Sequence, residues 1–64
     1  MAALEIPDPR KEPTIDVPRA GRLLGIKSRS AAYDAAHRGE IPFFPVGRQM
    51  RVPTAKVLAL LGLD

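Results

Sequence analysis

The sequence contains no cysteine, so neither a disulfide framework nor a thiolate zinc site can brace its core. It also lacks any apolar run approaching the roughly 20 residues a membrane span needs. The opening stretch, with Glu5 and Asp8 in it, does not read as a signal peptide. These absences point to a cytoplasmic protein with no membrane partner. No nucleophile–base pair, paired carboxylates or phosphate-cradling glycine loop can be assembled from the chain. His37 is the single histidine and has no cysteine to share a metal with. The expectation is therefore no enzyme, no catalytic residue, no metal and no cofactor. At 64 residues there is one domain and little room for a catalytic cleft.

What is present is an ordinary globular share of hydrophobic residues, 45%, and a surplus of positive charge. The net charge is +3 and the sequence pI about 10.0. Up to Pro13, two cations (Arg10, Lys11) face three acids (Glu5, Asp8, Glu12), a net −1; from Thr14 onward eight cations face Asp16, Asp34, Glu40 and Asp64, a net +4. The part expected to fold carries all the excess. A small basic domain has the electrostatic footprint of a nucleic-acid binder.

Prolines at positions 7, 9 and 13 and the lack of periodicity make Met1–Pro13 a flexible or extended lead-in to a domain spanning residues 14–64. Val17, Ala20, Gly21 and Leu24 fall at helical spacing and predict a first helix over about Val17–Leu24, with Asp16 as its N-cap and Pro18 tolerated in the first turn. Gly25 ends it and returns Ile26 to the core. Ser28 is placed to cap a second helix running to about Arg38 and stopped by Gly39. Ala32, Ala35 and Ala36 form its narrow packing stripe, while Arg29, Ser30, Tyr33, Asp34, His37 and Arg38 occupy the rest of its circumference. Two short apolar runs, Ile41–Val46 and Met50–Val52, flank Gly47-Arg48-Gln49 and read as a basic hairpin. One of the adjacent rings Phe43 and Phe44 is expected inward and the other outward, with partial packing under the hairpin. After Pro53 and Thr54 a last helix is expected to cover the core with Val57, Leu60 and Leu61 until Gly62 stops it. Leu58 and Leu63 fall off that face, as single exposed leucines or a small self-association patch. The fold class is mainly α with a small β-hairpin, in the order of a winged helix-turn-helix.

The run from Ile15 to Ile26, followed by Ala32-Tyr33, then Arg38-Gly39-Glu40-Ile41-Pro42, Val46-Gly47-Arg48 and Arg51-Val52-Pro53, resembles the excisionase family, a compact relative of the MerR-type winged helix. The likeness covers about Thr14 to Leu61, and the segment Lys27–Tyr33 departs from it by one extra residue. The resemblance implies a sequence-specific binder of double-stranded DNA, its second helix in the major groove and its wing on the backbone or the adjacent minor groove. Members direct an integrase toward excision by bending attachment-site DNA, or act as small transcription regulators. Carried onto this chain, the recognition-helix residues are Ser28, Arg29, Ser30, Tyr33, Asp34, His37 and Arg38, and the wing residues are Arg48, Gln49 and Arg51. An integrase, or cooperative self-association on DNA, is the expected further partner, with the protein on the nucleoid when bound.

Individual roles divide between reading and holding. Arg29 can read guanine or grip a phosphate, and phosphate contacts are the more numerous kind. Arg48 and Arg51 are expected to position the protein, with a wing-tip arginine able to sense a narrow minor groove. Tyr33 either bonds a phosphate or packs half-buried on the alanines. Asp34 can accept from a cytosine amino group, pair with Arg38 one turn on, or point away from phosphate, and the ion pair is the preferred expectation. From a different class, a protein-interaction module is supported by Asp34 and Glu40 among the bases and by Leu58 and Leu63.

Overall fold

The computed structural model describes residues 6–63, which form β1 (Thr14–Asp16), α1 (Val17–Leu23), α2 (Arg29–His37), β2 (Phe44–Val46), β3 (Gln49–Pro53) and α3 (Thr54–Leu60). This is a small, mainly helical domain with a three-stranded antiparallel sheet in the order β1-β3-β2. The caps act as expected. Asp16 lies in extended backbone and its carboxylate accepts from the Arg19 N–H at 2.8 Å, while Ser28 Oγ accepts from the Ala31 N–H at 3.3 Å. Helix α1 ends one residue earlier than expected, with Leu24 as its C-cap, and α2 likewise, with Arg38 as its C-cap.

Ile15, Val17, Ala20, Ala32, Ala35, Ala36, Ile41, Val52 and Val57 form the core. Helix α2 contributes only alanines to it, which lets α1 approach closely, and Gly21 lies where the two helices meet. Ile41, just beyond the left-handed turn at Gly39 (φ 83°), supplies the bulk that the alanines lack.

Strand β1 was not expected. It pairs Ile15 with Val52 and Asp16 with Arg51, so the basic hairpin is two strands of a three-stranded sheet. The hairpin's loop is also tighter than expected. Val46 pairs with Gln49, leaving Gly47 and Arg48 as a two-residue turn. Gly47 has φ 59° while Arg48, like every other non-glycine residue described, keeps a negative φ. That combination is a type II′ turn, which requires glycine at its first central position.

Two apolar assignments are corrected. In α3, Leu58 is 6% exposed and Leu60 is 59% exposed, the reverse of the expected face. The buried stripe is Thr54, Val57 and Leu58, with Leu61 packed against the core one turn on. Phe43 and Phe44 are 37% and 40% exposed, so neither ring enters the core. Phe43 precedes β2 and packs edge-on against His37, ring centroids 6.4 Å apart.

Of the expected lead-in, residues 1–5 lie outside the described residues, and the stretch from Asp8 to Pro13 is tied to the domain. The Asp8 carboxylate accepts from the Arg10 N–H at 2.9 Å, and its carbonyl accepts from the N–H groups of Lys11 and Glu12. Thr54 then donates its hydroxyl to the Glu12 carbonyl (2.5 Å) and its N–H to the Pro13 carbonyl (3.0 Å). Since Pro53 offers no side-chain cap, the start of α3 is held by this segment instead.

Candidate functional site

Helix α2 and the hairpin border the same open cleft. With Ser28 as N-cap, Arg29 is the first helical residue. Helical spacing puts Ser30, Asp34 and His37 on the crest opposite the buried alanines, and all three are exposed. Arg29 and Tyr33, four residues apart, share one flank. Tyr33 is half-buried against the core and lines an open cleft of about 350 Å³ together with Asp16, Arg48, Gln49, Met50 and Arg51. Tyr33 and all three expected wing residues therefore line one cleft.

The charged groups around this cleft differ in freedom. Arg51 donates from Nε to Thr14 Oγ1 and from Nη2 to the Thr14 carbonyl, both at 3.2 Å, so β1 holds its guanidinium in place. Asp16, the acid in the cleft, is occupied as the α1 cap. Arg48, at the turn, has no ion-pair or hydrogen-bond partner among the described residues, and neither does Arg29. Both are exposed.

The expected Asp34–Arg38 ion pair is not formed. Arg38 instead donates to both carboxylate oxygens of Glu40, at 2.9 and 3.2 Å, because the left-handed turn at Gly39 brings residue 40 back beside it. The hydrogen bond to Glu40, then its charge, raises the Arg38 pKa above its ordinary value, with a lesser contribution from the charge of Asp34. The Arg38 bond in turn lowers the Glu40 pKa. Asp34 is left exposed and without an ion-pair partner among the described residues. Arg19 is likewise engaged, in a two-pronged pair with Glu12 that lowers the pKa of that carboxyl.

Three residues of the site escaped the sequence reading: Asp16 and Met50 as cleft walls, and Thr14 as the anchor of Arg51. Thr14 could only have been found through β1, whose pairing with β3 joins residues 37 apart in sequence. Among the described residues no group of three His, Asp or Glu side chains could hold a metal ion, and no helix is long and apolar enough to cross a membrane. Compared with known proteins, the chain matches no family model, no curated protein and no solved structure.

Proposed function

We propose that this chain is a sequence-specific double-stranded DNA-binding protein, a winged helix-turn-helix with α2 as recognition helix and the β2–β3 hairpin as wing. The observation that carries the reading is the shared cleft, in which Tyr33 of α2 faces the hairpin residues Arg48, Gln49 and Arg51. A duplex following α2 then meets the hairpin tip. Arg29 precedes Tyr33 by one turn on the same flank, so two unpaired guanidinium groups, Arg29 and Arg48, are available to phosphates along one approach. The crest residues Ser30, Asp34 and His37 offer a hydroxyl, a carboxylate and an imidazole to base edges.

The protein has no catalytic role in this reading. A single domain of this size has a limited interface, so binding depends strongly on salt and gains from cooperative loading at repeated sites or from a partner. An excisionase, which bends attachment-site DNA beside an integrase, uses these properties directly. A small transcription regulator would use the same surface at a promoter.

A gel-shift titration at low and moderate salt tests the reading. The expected result is saturable binding, weakened by Arg29→Ala and Arg48→Ala, each lowering the salt slope by about 1. Unaltered duplex mobility at high protein concentration and low salt overturns it. It would favour a protein-interaction module instead, which has one observation behind it: Phe44 and Val46 on the hairpin, Leu60 on α3 and Leu63 after it are exposed.

A further inference from the structure

Asp34 is the anomaly on the proposed DNA-facing helix. A carboxylate there meets a field of phosphates, and the simplest way to neutralise it, the ion pair with Arg38, is not used. The Arg38 guanidinium is committed to Glu40 by two hydrogen bonds, and Asp34 has no ion-pair partner among the described residues. Its place is the middle of the crest, between Ser30 four residues before and His37 three residues after, with the buried alanines on the opposite side. From that position a side chain reaches the floor of a groove, whereas the flank residues Arg29 and Tyr33 reach its wall.

The chemistry of base edges then narrows the choice. An ionised carboxylate only accepts hydrogen bonds. In the major groove guanine presents two acceptors and thymine an acceptor and a methyl group, so both repel it or leave it unpaired. Adenine offers one amino donor next to the N7 acceptor, which opposes the second carboxylate oxygen. Cytosine offers its amino group with no acceptor of its own beside it. Resting on the DNA-binding reading above, we infer that Asp34 is a specificity-determining residue that selects a C·G base pair by accepting from the cytosine amino group.

Selection from a pool of random-sequence duplexes, performed with the full chain and its variants, tests this. Asp34 is exposed and makes no ion pair among the described residues, its charge adding only a lesser contribution at Arg38, so Asp34→Asn and Asp34→Ala should keep the wild-type circular dichroism and melt no lower than wild type, and those measurements establish that each variant is folded. Wild-type protein should select a C·G pair at one position, with a penalty on the order of tenfold for replacing it. Asp34→Asn should move that position toward A·T, because a carboxamide both donates and accepts as the adenine edge requires. Asp34→Ala should still bind DNA but lose the preference there. Unchanged base preference in both variants overturns the inference while leaving DNA binding intact. So does a general rise in affinity with no change of preference, which would make Asp34 merely repulsive. If wild-type protein binds no duplex at all, the DNA-binding reading fails first, and this inference with it.

Discussion

A Cβ added to Gly21 would stand 2.7 Å from the Cβ of Ala32, closer than such atoms approach in folded proteins. Helix α1 would gain about 1 kcal/mol of helix propensity from alanine at this position. The contact lies on buried α2 residues that have no flexible end to swing away, and overpacking of this kind costs about 1–3 kcal/mol. Gly21→Ala should therefore lower stability in chemical denaturation. Adding Ala32→Gly should reveal a favourable coupling between the two changes in a double-mutant cycle. A more stable single variant would show that the helices can part without loss.

The face of α3 gives a second prediction. Leu58→Ala should cost about 2–3 kcal/mol, the lower part of the usual range for a buried leucine, because α3 lies at the margin of a small core. Leu60→Ala, on the exposed side, should change stability by less than about 0.5 kcal/mol. Equal melting temperatures for the two variants would contradict the observed burial.

That pair of leucines also shows what could be read without coordinates. The helix itself was legible from spacing, as were α1, α2, both side-chain caps and the glycine turns, because each rests on contacts within a few residues. Its buried face was not, since Val57-Leu60-Leu61 and Thr54-Val57-Leu58-Leu61 both have helical spacing. The choice depended on Thr54, a polar residue buried because its hydroxyl reaches the Glu12 carbonyl. The same limit hid β1 and the Arg51–Thr14 bonds, which need a distant strand as partner. It also misdirected Arg38, where a fixed four-residue rule favoured Asp34 and the turn at Gly39 favoured Glu40. For the site, residue types were legible and their freedom was not: of the two wing arginines, one is anchored to β1 and the other is not.

Arg48 and Arg51 should accordingly respond differently to truncation. Arg48→Ala should leave stability within about 0.5 kcal/mol of wild type, as for a surface change away from any bond. Arg51→Ala removes two hydrogen bonds to Thr14 and should lower stability by about 1 kcal/mol. Thermal melts of the two variants without DNA make the comparison. Equal losses would mean that the Thr14 anchor contributes nothing.

Acid should act through Glu12. Its carboxyl pKa is held below the ordinary value of 4.5, first by the hydrogen bond from Arg19, and the Glu40 pKa is held below 4.5 by Arg38. A depressed folded-state pKa contributes stability above the unfolded value, and that contribution fades as pH falls through the folded value. Glu12→Gln should therefore melt lower than wild type between pH 5 and 7, with the gap narrowing once the pH falls below 4.5 and shrinking in high salt. A gap that widens in acid would reverse the sign and exclude this pair as its source.

The last prediction concerns Pro45, on the outer strand of the sheet. Strand β2 has β3 on one side only, and its residues are exposed. The two-residue turn makes Val46 and Gln49 a hydrogen-bonded pair, so Pro45 and Met50 form the next, non-hydrogen-bonded pair of the antiparallel ladder. At such a position the backbone N–H points away from the partner strand, toward the open edge, and proline removes it. With Phe44 and Val46 exposed on either side, the edge would otherwise offer a donor and two apolar side chains to a second strand. Pro45→Thr restores the donor and raises strand propensity without disturbing the bonds to β3. Sedimentation measured over a range of concentrations should show the variant associating at lower concentration than wild type. If the two sediment alike throughout that range, proline at this position is not what keeps the edge unpaired.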